Sequence, residues 1–174
     1  MNRLHIILGD ITTIQTDAIV NAANTTLLGG GGVDGAIHRA AGPDLLKECR
    51  TLHGCPTGQA KATKAYRLPC RYVIHTPGPI WRGGMQNEDA LLASCYQNAL
   101  RLACELNCQT VAFPSISTGV YHFPLARAAR IAIDTILCSL QAHPEIHCVT
   151  MVCFDKHTQA AYEQALAEKE QLNG

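Results

Sequence analysis

The 174-residue sequence has no long apolar run: no window approaches the roughly 18 residues a membrane span needs, and Met1-Asn2-Arg3-Leu4-His5 lacks the apolar core of a secretion signal. Membrane association is not expected. Neither sign of charge is in excess, with Lys+Arg and Asp+Glu both at 14, so no whole-protein field draws the chain to nucleic acid. Direct nucleic-acid binding is not expected, and any anion binding must be local. A clustered cysteine motif is also missing. The nine cysteines are an odd number scattered through apolar patterns, which fits a reducing cytoplasm and not a disulfide framework. Cys104 and Cys108 share a helix face without a second ligand pair, and His143-Pro144-Glu145-Ile146-His147 is interrupted by proline, so no metal site is expected.

Several catalytic signatures are missing too. There is no Gly-x-Ser-x-Gly elbow, and Ser117 has no evident base, which argues against a serine nucleophile. Gly30-x-Gly32-x-x-Gly35 formally satisfies the dinucleotide fingerprint, but it stands several residues beyond the preceding strand, and no strand with an acidic end follows about 20 residues later. No Gly-Lys-Ser/Thr follows the glycines, so triphosphate hydrolysis is also excluded. No cofactor is expected. With no internal repeat or low-complexity linker, residues 1–174 read as one domain, and the 47% hydrophobic content is ample for one core.

What the chain does have is Gly29-Gly30-Gly31-Gly32-Val33-Asp34-Gly35-Ala36-Ile37-His38: four glycines, one carboxylate, then a helical pattern. Consecutive glycines free main-chain N–H groups to turn toward a ligand, and a helix start behind them adds its dipole, so this is an anion cradle with an acid beside it. Asp34, with an ordinary carboxylate pKa near 4 and a helix amino terminus favouring its ionised form, can accept protons near neutral pH. Helix capping is its plainer role, and the two can coexist. A second loop, Ser115-Ile116-Ser117-Thr118-Gly119-Val120-Tyr121, offers small hydroxyls, amides and a glycine, and could clasp the other side of a pyrophosphate. The Asn24 amide suits ribose hydroxyls, or forms a turn; Asp10 offers an acceptor for an exocyclic amine, or marks the turn Gly9-Asp10.

Short β-branched runs predict strands at Leu4 to Leu8, Ala18 to Val20, Ala60 to Ala65 (more polar, nearer an edge), Tyr72 to His75, Thr110 to Phe113 and His147 to Phe154. Helical spacing runs from Ala36 through Leu52, broken at Gly42-Pro43. It recurs after Asn87 as a cap, after Pro124 in a first turn, and after Asp155 as a cap, with a frayed tail from Glu168 to Gly174. The order β-β-α-β-β-α-β-α-β-α implies an α/β fold: a mixed, mainly parallel six-stranded sheet covered on both faces, with ligands at the strand carboxyl ends.

Asn21-Ala22-Ala23-Asn24, Gly29 through Gly42 and Ser117-Thr118-Gly119-Val120-Tyr121 resemble the macrodomains, specifically the MacroD-type branch with its bacterial O-acetyl-ADP-ribose deacetylases. The similarity runs from Gly9-Asp10-Ile11 through Trp81-Arg82-Gly83-Gly84 to the last helix, and Gly29 to Gly42 departs from the motif of the zinc-binding branch. It implies a three-layer α/β/α sandwich that binds ADP-ribose. Asp10 and Ile11 would lie at adenine, Asn24 at the distal ribose, Gly31, Gly32 and Val33 at phosphate and ribose, and Ser117, Thr118, Gly119, Val120 and Tyr121 around the diphosphate. Phe154 falls where an aromatic stacks on adenine in some relatives. Asp34 matches the catalytic acidic residue. The expected substrates are ADP-ribose esters, either O-acetyl-ADP-ribose or ADP-ribosylated protein, with a non-catalytic reader or a regulatory partner of a ribonuclease as alternatives. Either Asp34 or a substrate phosphate would take the proton from water.

Overall fold

In the computed structural model, which describes residues 2–173, the chain forms β1 (Leu4–Leu8), β2 (Ala18–Ala23), α1 (Gly32–Ala41), α2 (Pro43–Thr51), β3 (Lys61–Lys64), β4 (Tyr72–Pro77), α3 (Glu88–Glu105), β5 (Thr110–Phe113), α4 (Leu125–Ala142), β6 (Cys148–Cys153) and α5 (Lys156–Asn173). A 3₁₀ turn at Ile11–Thr13 follows β1. The six strands make one sheet in the order β1-β6-β5-β2-β4-β3. Every neighbouring pair is parallel except β3 with β4. This is the mixed, mainly parallel sheet that the alternation of elements predicts, with the polar strand β3 at an edge.

Successive strand residues face opposite sides, and both sides are apolar, as a sheet covered by helices requires. Val20, Ile74, Phe113 and Met151 pack with α3, α4 and α5, while their neighbours Ile19, Val73, Ala112 and Val152 pack with α1 and α2. The result is three layers. Ile37 and Leu45, both fully buried, fasten α1 and α2 to the second face. Truncating either to alanine would cost about 2–5 kcal/mol.

The chain leaves β2 toward one edge of the sheet and leaves β5 toward the other, so the crevice between these adjacent strands is a topological switch point. The glycine run follows β2, and the Ser115–Tyr121 segment follows β5.

Several local boundaries differ from the sequence reading. α1 begins at Gly32, not near Ala36, so Val33 and Asp34 lie in its first turn. Asn87 precedes α3 in left-handed backbone (φ 62°) and its side chain makes no cap. Glu88 organises that end instead, accepting from the amides of Arg82, Gly84 and Gln86 at 2.9, 2.8 and 2.6 Å. Pro124 stands one residue outside α4. Beyond Glu168, where fraying was expected, α5 continues to Asn173, and Lys169 pairs with Asp134 of α4 at 3.4 Å. Gly174, the last residue of the expected tail, lies outside the described residues. Asp155 does cap α5, accepting from Thr158 N at 2.7 Å. No helix among the described residues is long and apolar enough to cross a membrane.

Candidate functional site

Asn21 and His75 are register partners on β2 and β4, and alternation from Ile19 and Val73 turns both toward α1. Asn21 is fully buried, and its Nδ2 donates to Asp34 Oδ1 at 2.9 Å while lying 3.1 Å from His75 Nδ1. His75 Nε2 is 2.9 Å from Thr63 Oγ1 on β3. Because Asn21 donates to Nδ1, the network assigns the proton of His75 to Nε2, which donates to Thr63. Burial pushes the pKa of His75 down to about 3, so this histidine is neutral and rigid. Asn21 Oδ1 has no partner. A buried unpaired acceptor costs about 1–3 kcal/mol, and here the amide's orientation is committed to Asp34.

Asp34 is itself 5% exposed. His38, one turn along α1, places Nε2 3.4 Å from Asp34 Oδ1, within ion-pair reach but outside hydrogen-bond geometry. Burial raises the Asp34 pKa above the ordinary carboxylate value, with the Asn21 hydrogen bond and the His38 ring opposing it. This corrects the sequence expectation of an ordinary carboxylate whose ionised form the helix terminus favours: desolvation wins over the stabilising contacts. Nor does Asp34 cap α1, whose cap position is Gly31.

The glycine run folds directly over this carboxylate. A Cβ on Gly30 would stand 3.1 Å from Asp34 Oδ2 and 3.4 Å from Asn24 Nδ2, so both side chains abut the same bare backbone. At Gly35 a Cβ would approach the carbonyl oxygen of Gly30 to 2.5 Å, and only glycine lets the loop close onto α1. Asn24 is held by the loop it shapes: Nδ2 donates to Gly29 O at 2.9 Å, and Oδ1 accepts from Thr26 N and Oγ1 at 3.1 and 2.5 Å. The turn role and a place beside Asp34 therefore coexist. A Cβ at Gly31 or Gly32 meets nothing within 4 Å, so the outer rim of the cradle is open.

The second loop is tied from below. Ser115 Oγ lies 2.6 Å from Thr118 Oγ1 and 2.7 Å from the hydroxyl of Tyr162 on α5. Phe123 N donates to Ser117 O at 3.0 Å, and Trp81 N to Tyr121 O at 2.9 Å. Ser117 adopts left-handed backbone (φ 68°), and its buried Oγ has no partner. Gly78 makes this possible, since a Cβ there would collide with Ser117 and Ile116. Strain and an unmet hydroxyl in one residue mark a place where local stability is spent. Gly119 and Val120 are exposed, and a Cβ on Gly119 meets nothing within 4 Å. Beside this loop a cleft of about 250 Å³ opens between Thr25, Ile80, Arg82, Glu88 and Tyr121.

At the β1–β6 side, Gly9 N donates to Cys153 O at 2.9 Å, which sets Asp10 and Phe154 at neighbouring carboxyl ends. Asp10 Oδ1 accepts from Thr12 N and Oγ1 at 2.9 and 2.7 Å and so caps the 3₁₀ turn. Ile11 is 5% exposed and packs in the core. The Phe154 ring is 82% exposed. Every residue the resemblance assigns to ligand binding or catalysis thus lies at the carboxyl edge of the sheet or just beyond it. Asn21, His38 and His75 were missed as contributors. The Asp34–His38 spacing of four on a helix was a legible signal; the contact of Asn21 with His75 needs the register of two strands remote in sequence.

Comparison with known proteins agrees with this architecture. The chain is 62% identical over 169 residues to a Macro domain-containing protein of Lactiplantibacillus plantarum, covering 96% of this chain and 98% of that one. It is 53% identical to an O-acetyl-ADP-ribose deacetylase of Citrobacter rodentium, with 97% of each covered. Among solved structures it superposes on an Oceanobacillus iheyensis macrodomain with ADP (TM-score 0.93, 45% identity, 97% of this chain and 92% of that one). It also superposes on a Trypanosoma brucei macrodomain in complex with ADP-ribose (TM-score 0.88, 44% identity, 94% and 69%). The family model of the Macro domain matches residues 20–132, from β2 into α4, and therefore takes in the glycine run, Asp34 and the Ser117 loop: this chain belongs to the Macro domain family.

Proposed function

We propose that this protein binds ADP-ribose and hydrolyses its esters, removing acetate from O-acetyl-ADP-ribose or ADP-ribose from protein Asp and Glu side chains. One observation carries the hydrolytic part: a buried carboxylate, Asp34, oriented by Asn21 and His38, stands under a glycine loop open on its outer side. A reader module needs the cradle but has no use for a desolvated base. The relatives bearing the deacetylase name and those solved with ADP or ADP-ribose support the ligand class.

In this reading the adenine rests near Asp10, Ile11 and Phe154. The diphosphate lies between the amides of Gly31, Gly32 and Val33 and those of Ser117 to Tyr121, and the distal ribose sits at Asn24. Asp34 takes a proton from water as the oxygen attacks the acyl carbon; the tetrahedral oxyanion is stabilised by loop amides, and the ribose oxygen leaves carrying that proton. A carboxylate pKa raised toward neutrality makes a better base at working pH than an ordinary one. Removing it should cost about 10²–10⁴-fold in rate, the usual contribution of a positioned base.

The test is ADP-ribose release from O-acetyl-ADP-ribose and from a glutamate-ADP-ribosylated protein, measured alongside ADP-ribose affinity, for wild type, Asp34→Ala and Asp34→Asn. Binding by wild type without cleavage of either ester would establish the reader. Variants as fast as wild type would leave the substrate phosphate as the proton acceptor.

A further inference from the structure

At the opposite end of the sheet the fold assembles a second cluster of chemistry-bearing side chains. Cys104 lies in the last turn of α3, and His143 and Glu145 lie in the connection from α4 to β6. Because β5 and β6 run parallel, both segments arrive at the amino ends of these strands, away from the glycine run. Cys104 Sγ, a ring nitrogen of His143 and a carboxylate oxygen of Glu145 all lie within 4.8 Å of one another, and Cys104 Sγ is 3.3 Å from Glu145 Oε2. The sequence reading dismissed this segment because proline breaks its helical spacing. The third group comes from a different helix, which sequence spacing does not show.

We infer that Cys104, His143 and Glu145 form a three-ligand site for one divalent ion of borderline softness, with zinc the best match. Thiolate, imidazole and carboxylate together select zinc over calcium or magnesium, which take oxygen ligands alone. Tetrahedral zinc with bonds of about 2.3 Å to sulfur and about 2.0 Å to oxygen separates those two ligand atoms by about 3.5 Å, close to the spacing already present. Small side-chain adjustments bring the imidazole in, and water takes the fourth position.

The connection that carries two of the ligands is held in place by a tether from the start of the neighbouring strand β1. Arg3, just before β1, donates from Nη1 to Leu140 O at 2.7 Å, from Nη2 to His143 O at 2.8 Å, and from Nε to Ile146 O at 3.0 Å. These bonds fix the backbone on both sides of Glu145 and occupy the guanidinium with carbonyls. His143 and Glu145 are partly or fully exposed and Cys104 is half-buried, so an ion can enter from solvent. On binding, the Cys104 thiol gives its proton to solvent as the sulfur–metal bond forms, and no electron is transferred.

The test is equilibrium dialysis of the reduced, full-length protein against zinc alone, with cobalt as a spectroscopic substitute. The site predicts one zinc per chain and a thiolate-to-cobalt charge-transfer band. Cys104→Ser should abolish the band, and both Cys104→Ser and Glu145→Gln should weaken zinc at least ~100-fold, the upper end of what even outer-shell changes cost. Cys138→Ser, at an exposed cysteine on α4, should leave both unchanged. No retained zinc, a cobalt band that survives Cys104→Ser, or full affinity in Glu145→Gln would overturn the assignment.

Discussion

The fold resists a charge on Asp34. Its burial raises the pKa, and the Asn21 Nδ2 hydrogen bond works against that rise. The sign of a substitution follows: Asn21→Ala removes the contact that favours the carboxylate, so the pKa of Asp34 climbs further. Activity that needs the ionised form falls as pH drops through that pKa. The acid limb of the wild-type rate profile should lie above the ordinary carboxylate range, and in Asn21→Ala it should lie higher still. A hydrogen bond to a charged group contributes about 1.5–3 kcal/mol, and losing it displaces the limb upward. An unmoved limb would separate Asn21 from Asp34 function. Gly119→Glu tests the second loop. Its new side chain enters open space, so the fold should survive, while a carboxylate about 4 Å from a phosphate costs on the order of 1–4 kcal/mol. Calorimetry should show ADP-ribose affinity reduced tenfold or more; unchanged affinity would place the diphosphate elsewhere. The glycines, Asp34 and the Ser117 loop were readable as residues because each announces itself in contiguous sequence. The Asn21–His75–Thr63 chain was not, because it runs across three strands whose order the sequence does not state.

Among the elements, the start of α3 is organised by a single side chain, Glu88. Burial opposes ionisation of Glu88, yet the amides of Arg82, Gly84 and Gln86 outweigh it and hold the carboxyl down to about 2. Its contribution is present above the ordinary value of 4.5 and is lost as pH falls from there toward 2. Glu88→Ala should lower the melting temperature at pH 7, with the gap to wild type closing as pH falls through that window. Hydrogen exchange at Arg82, Gly84 and Gln86 should accelerate, and protection equal to wild type would show that the segment is held by something else. Trp81 N holds Tyr121 O, so loosening this segment reaches the second loop as well. Strand and helix positions were legible from apolar periodicity, but their ends were not. β2 extends beyond Val20 to Ala23 because β4 pairs with it as far as Pro77. Asn87 looks like a cap in sequence, but Glu88 takes the free amides.

For the molecule as a whole, the decisive feature is where the chain turns back: it leaves β2 toward one edge of the sheet and β5 toward the other. Balanced charge leaves no global field, so the proposed recognition of an anionic ligand rests on the two loops at the β2–β5 switch point. The alternation of strands and helices was enough to predict the layers and the mainly parallel sheet. What it did not show was the pairing of segments at the other edge, where Cys104 meets the connection before β6. The cradle and the base are separable parts of one site, and the central claim is that Asp34 turns binding into hydrolysis. The direct measurement is single-turnover release of ADP-ribose from O-acetyl-ADP-ribose by wild type and Asp34→Asn, each saturated with substrate. Asp34 as the base predicts near-equal ADP-ribose affinity and a rate lower in the variant by about 10²–10⁴-fold. Equal rates at equal affinity would contradict it.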